Sequence, residues 1–132
     1  MSEDSKVRGV VVAHSALARA LVDAVRQIAG TEEQALVPVS NEGLAPDAIR
    51  DRLAEALHDQ GPAIIFTDLR EGSCGIAAQR LCVTRPDHVV LTGVNLPMLL
   101  DFAMKRHLPL DDLVERLVDR GRNAVQALPE RE

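Results

Sequence analysis

Apolar positions alternate between two spacings along the whole chain. Residues 7–13 form a short run rich in β-branched side chains and predict a first strand, ending at His14. Leu17, Leu21, Val25 and Ile28 then recur at helical spacing, and Gly30 stops that helix. Residues 35–39 predict a second strand, followed by a polar turn through Ser40, Asn41, Glu42 and Gly43. Pro46 and Asp47 open a second helix with Ile49, Leu53 and Leu57 on one face, and Gly61-Pro62 breaks it. Residues 63–66 are apolar without interruption, as expected of a strand covered on both faces.

Beyond Thr67-Asp68 a small-residue loop, Glu71-Gly72-Ser73-Cys74-Gly75, leads into a third helix carrying Ile76, Leu81 and Val83. Pro86-Asp87 makes a turn, and residues 88–92 give a fourth strand. Gly93 to Pro97 closes it and begins a helix around Met98, Leu99, Leu100 and Phe102. The last helix begins near Asp111 and Asp112 and carries Leu113, Leu117, Val118 and Val125. Strands alternating with helices require right-handed crossovers and a mostly parallel sheet. The fold predicted is α/β: an open, mostly parallel sheet of four or five strands flanked by helices. With 132 residues and no linker or repeat, the chain reads as one domain, 1–132, with its core at about 7–128 and frayed ends.

Composition removes several functions. Two Phe and no Tyr or Trp leave almost nothing to stack on bases or sugar rings, and a net charge of −5 disfavours phosphate backbones, so nucleic acid is not an expected partner. No apolar run is long enough to span a bilayer and the N-terminus lacks an apolar signal core, which predicts a cytoplasmic protein without membrane insertion. Cys74 and Cys82 fit neither a CxxC pair nor a zinc knuckle and read as free thiols, with Cys82 the buried one. His14, Asp68 and Asp101 could in principle meet, but no close-spaced ligand pair marks a metal site. No Walker loop or Gly-x-Ser-x-Gly elbow is present. Neither a metal nor a cofactor is expected.

The candidate chemistry sits where strands end. In a parallel sheet the loops following the strands gather at the carboxyl edge, which here collects His14, Asp68 with Ser73, and Asn95. A carboxylate bonded to one ring nitrogen of His14 would fix its tautomer and leave the other free to attack phosphorus. Ser15 and Ser73, with Gly72 and Gly75 letting the backbone approach, would offer donors to phosphoryl oxygens. Each piece alone has a plainer reading: Asp68 as a turn or capping residue, Asn95-Leu96-Pro97 as a helix start. His58, His88 and His107 lack such a context and read as structural or solvated.

Three blocks taken together resemble the enzyme IIA domain of the mannose family of the bacterial sugar phosphotransferase system. They are Val10-Val11-Val12-Ala13-His14-Ser15 through Ala18, Phe66-Thr67-Asp68-Leu69-Arg70-Glu71-Gly72-Ser73, and Gly93-Val94-Asn95-Leu96-Pro97-Met98-Leu99. The resemblance implies a phosphotransferase in which His14 accepts a phosphoryl group from the carrier HPr and passes it to a IIB component. Asp68 would orient the imidazole, Ser15, Gly72 and Ser73 would contact phosphate, and Asn95 would support the site. It also implies a homodimer with a swapped C-terminal strand, although residues 101–110 show no clear fifth strand, and association with a membrane permease. Where the family carries Gly-Gly-Ser-Pro this chain has Glu71-Gly72-Ser73-Cys74: a carboxylate that would repel phosphate unless Arg70 compensates, and a cysteine that would loosen the turn. That altered loop, and a chain without a IIB domain, keep a second reading open, a regulatory module whose His14 phosphorylation controls a kinase or transcription regulator. The phosphotransfer subunit of dihydroxyacetone kinase shares the His-Ser opening, but the Asn95-Leu96-Pro97-Met98 block points away from it.

Overall fold

The computed structural model describes residues 6–58 and 61–130. Four strands, β1 (Arg8–Ala13), β2 (Leu36–Ser40), β3 (Ala63–Thr67) and β4 (His88–Thr92), alternate with helices α1 (Leu17–Ala29), α2 (Pro46–Leu57), α3 (Ser73–Val83) and α4 (Leu96–Lys105). A fifth helix, α5 (Leu110–Asn123), follows α4. The strands form one sheet in the order β2-β1-β3-β4, every neighbouring pair parallel. Pro38 lies in β2, an edge strand, where a missing backbone donor is tolerated.

Side chains alternate across the pleat, and each face builds its own core. Val11, Ala13, Ile64 and Phe66 face one side with Val22, Leu99, Phe102, Leu113 and Leu117 of α1, α4 and α5. Val10, Val12, Ala63 and Ile65 face the other with Ile49, Leu53, Ala77 and Leu81 of α2 and α3. Both faces are covered, so β1 and β3 are apolar almost throughout.

Several expectations change at the side-chain level. The inward stripe of α1 is Ala18, Val22 and Val25, while Leu17 and Ile28 are exposed. In α3 the buried face is Cys74, Gly75, Ala77, Ala78 and Leu81, and Val83 points to solvent. Small residues let both helices approach the sheet closely, and a pattern read from large side chains misses them. The cysteines exchange places: Cys74 is fully buried and Cys82 only half-buried. Cys74 therefore belongs to the packed first turn of α3 and does not loosen the preceding loop. Val125 lies beyond the end of α5 and is exposed. Among the described residues there is no fifth strand; residues 101–105 continue α4.

Gly9 shows how tight the larger core is. A Cβ there would lie 2.7 Å and 2.8 Å from ring carbons of Phe102 and 2.9 Å from Leu36 Cδ1. The Phe102 ring is itself fixed edge-on against Phe66, with centroids 5.2 Å apart. Gly9→Ala should therefore destabilise the fold by about 1–3 kcal/mol through overpacking, measured as a lowered urea midpoint with an unchanged far-ultraviolet dichroism spectrum before the transition.

Candidate functional site

Register places the site. Val12 of β1 pairs with Thr67 of β3, so the chain emerges from these neighbouring strands with His14 and Asp68 side by side. The His14 ring Nδ1 lies 2.9 Å from Asp68 Oδ2, and the His14 backbone N–H donates to the same oxygen at 3.1 Å. The other oxygen, Oδ1, accepts the Leu69 N–H at 2.9 Å and a longer contact from the Thr67 hydroxyl at 3.4 Å. Burial alone would raise the carboxyl's pKa. The ring and backbone bonds from His14, its charge and the Leu69 N–H outweigh that and hold Asp68 below the ordinary carboxylate range. An ionised carboxylate only accepts, so Nδ1 carries a proton, and in the neutral form of the ring Nε2 presents its lone pair.

The ring edge that carries Cε1 and Nε2 lies against the start of α3. Gly72 is the N-cap, in an extended conformation, with no side-chain cap. A methyl group on it would stand 2.9 Å from His14 Cε1 and 3.4 Å from Nε2. The first-turn N–H groups of α3 and its positive dipole end thus lie beside the nucleophilic nitrogen, an arrangement suited to an anion. Ser73 is the first residue of the helix. Gly75 is required by the loop: a Cβ would run into the carbonyl oxygens of Leu69 and Arg70.

A second loop also reaches the site. Ser15 takes a positive φ of 54°, uncommon for a residue with a side chain. Its N–H donates to Asn41 Oδ1 at 3.1 Å, and its carbonyl accepts the Ser40 hydroxyl at 3.0 Å. Sequence reasoning treated Ser40 and Asn41 only as a polar turn. Their position just past a parallel strand, at the same edge as His14, was the available signal. Thr67, fully buried, was likewise passed over.

Asn95 has a different task. Its Oδ1 caps α4 by accepting the Met98 N–H at 3.1 Å, and its Nδ2 donates to the Gly121 carbonyl of α5 at 3.0 Å. One bond from each polar end thus ties the start of α4 to α5. Asp101 is bound to Arg116 at 2.8 Å and 3.1 Å, which engages it within the α4–α5 pair. Arg70 and Glu71 are both exposed, and among the described residues no ion pair joins them. Cys74 completes the site from beneath: one donor atom each from His14, Asp68 and Cys74 lie within 4.8 Å of one another. Burial, then the Asp68 charge, pushes its thiol up to about 11, against a lowering bond with Ser73.

An open parallel α/β sheet with a histidine–aspartate pair over a helix N-terminus defines the class of protein. A family model described as the PTS system fructose IIA component, EIIA-man, matches residues 9–118. The chain is 32% identical over 113 residues to the sorbose-specific EIIA component of Klebsiella pneumoniae, covering 84% of each. It is 30% identical over 125 residues to the mannose-specific EIIAB component of Escherichia coli K12, spanning 90% of this chain and 38% of that protein. A mannose/sorbose-specific IIA subunit from Enterococcus faecalis superposes with a TM-score of 0.83 at 24% identity, over 96% of this chain and 98% of the other. The EIIA of Streptococcus agalactiae gives 0.85 at 24% identity, over 92% and 96%; at these identities the likeness is one of fold. The chain belongs to the mannose family of EIIA components, the phosphotransfer proteins of the sugar phosphotransferase system. Among the described residues no helix is long and apolar enough to cross a membrane.

Two variants separate the site from its scaffold. Gly72→Ala, compatible with the local backbone, should cost about 1 kcal/mol as an N-cap change and push the His14 ring away from Asp68. Long-range proton–nitrogen spectra should show the protonated-Nδ1 tautomer weakened. Asn95→Ala should cost about 1–2 kcal/mol in chemical denaturation and leave the His14 tautomer unchanged.

Proposed function

We propose that the chain is a single phosphocarrier domain in which His14 accepts a phosphoryl group from phosphorylated HPr and hands it to a IIB component. The His14 lone pair at Nε2 attacks phosphorus, the donor's bond to phosphorus breaks, and the group rests on the ring until the acceptor attacks in turn. Asp68 keeps the proton on Nδ1 and stabilises the positive charge the phosphorylated ring gains. Gly72 and Ser73, at the N-terminus of α3, receive the phosphoryl oxygens. Ser15 contributes through its hydroxyl, its N–H being held by Asn41.

The observation that carries this reading is the 2.9 Å contact between Nδ1 and Asp68, with the opposite edge of the ring lying against Gly72 at the start of α3. Family membership supports it independently. The same reading makes the protein a cytoplasmic homodimer that meets its membrane permease through the acceptor subunit. The outer edge of β4, beside which no strand lies among the described residues, supports pairing between copies.

Incubation with phosphoenolpyruvate, enzyme I and HPr should add one acid-labile phosphate to the wild-type mass and none to His14→Ala. Asp68→Asn should be labelled roughly 10²-fold more slowly, the scale for losing an oriented proton-handling partner. A folded wild type that gains no mass beside a labelled control IIA, or His14→Ala labelled at full level, would overturn the assignment.

A further inference from the structure

Cys74 has no part in the transfer just described, yet it lies fully buried against the two residues that do. One donor atom from each of His14, Asp68 and Cys74 falls within 4.8 Å of the others. We infer that these three side chains form a site for a thiophilic divalent cation of the zinc class, and that its occupation silences His14.

The donor set decides the class of ion. Imidazole nitrogen, carboxylate oxygen and thiolate sulfur together suit zinc or cobalt, whereas magnesium and calcium prefer oxygen alone. Ligand bonds of about 2.0–2.3 Å put tetrahedral ligands roughly 3.3–3.7 Å apart, so donors that lie within 4.8 Å of one another need to close by no more than about 1.5 Å. His14 can supply that movement, because 41% of its side chain is exposed. The same exposure leaves the fourth position open to water, as in three-ligand zinc sites. Cys74 and Asp68 are fixed from below by α3 and by the backbone bond from Leu69.

No electron moves when the ion enters. The Cys74 S–H bond breaks, a metal–sulfur bond forms, and the proton leaves to solvent; if Nδ1 is the ring donor, its proton leaves too. A metal on Nε2 occupies the nucleophilic lone pair. A metal on Nδ1 severs the contact with Asp68. Either way phosphoryl acceptance stops, a consequence that rests on the phosphocarrier reading, whereas the binding itself does not.

Cobalt(II) titration of the whole protein reads the site directly. Wild type and Cys82→Ser should each bind one equivalent with a thiolate-to-cobalt charge-transfer band that zinc displaces. Cys74→Ala should lack the band, and His14→Ala, altering a half-exposed side chain, should bind at least about tenfold more weakly. A wild type without the band, or a band that survives Cys74→Ala or disappears in Cys82→Ser, overturns the site. In a second arm, purified phospho-HPr is supplied with and without one equivalent of zinc. Labelling of the wild type should fall at least about tenfold and return with chelator, while Cys74→Ala should change less than about twofold from its own metal-free level. A cobalt band without zinc inhibition removes the silencing. A cobalt band in a wild type that is never labelled removes the phosphocarrier reading and leaves the metal site standing; labelling without a band does the reverse.

Discussion

Asp68 Oδ2 accepts two bonds from one residue, the backbone N–H and the ring Nδ1 of His14, and the site is organised around that oxygen. The backbone bond ties the end of β1 to the end of β3 just past their last paired residues. The ring bond then starts from a backbone already held, so only the side-chain torsions of a half-exposed ring remain free. Neighbouring parallel strands run about 4.8 Å apart, which is why a residue one past β3 can reach a residue two past Val12 without a long loop. A lone hydrogen bond between surface side chains contributes little net stability. Here the backbone bond and the Leu69 N–H fix the carboxylate first, so the imidazole meets a partner already in place.

Steric permission completes what the carboxylate begins. Gly72 lets the ring lie against the start of α3, and Gly75 lets the carbonyls of Leu69 and Arg70 fold back over that helix. Any larger residue at either point would move the loop or the ring by a substantial fraction of an ångström. Ser15, at its positive φ, is held from the other side by Ser40 and Asn41. Three strand ends thus fix one imidazole, and the cores on both sheet faces keep those ends in register. The conformational cost of Ser15, roughly 1–2 kcal/mol for a left-handed residue, is offset by two hydrogen bonds and by the packed sheet behind them.

The order of strands and helices, and the gathering of His14 and Asp68 at one edge, were legible in the sequence because both follow from the parallel crossover rule and from apolar runs. The finer assignments failed where size mattered more than polarity. Ala18 in α1 and Ala77 and Ala78 in α3 form the packed faces because they are small, while the larger Leu17, Ile28 and Val83 lie outside. Cys74 was misplaced for the same reason, since a turn read from Gly-Ser-Cys-Gly gives no hint that the helix already begins at Ser73. Asn95 carried two readings in the sequence, and its bond from Met98 is the helix start foreseen by one of them, whereas its bond to Gly121 depends on the docking of α5, which no local pattern encodes. For Asn41 the strand pattern marked the sheet edge but not the partner, which is the Ser15 backbone N–H of another loop.

The two departures in the loop, Glu71 and Cys74, have unequal weight. Glu71 is exposed, and two charges about 4 Å apart in water interact by only about 1 kcal/mol, less once salt screens them. The positive end of α3 acts in the opposite sense with a similar magnitude, about 0.3–1 kcal/mol. The repulsion foreseen from sequence is therefore largely cancelled, and Arg70 need not pair with it. Cys74 is the larger change because water does not screen it. With its thiol pushed up to about 11, it adds no charge beneath Asp68 and leaves that carboxylate free to polarise His14. It also sets a soft donor under a nitrogen and a carboxylate, so the residue that is silent towards phosphate is the one that alters which ions the site can hold.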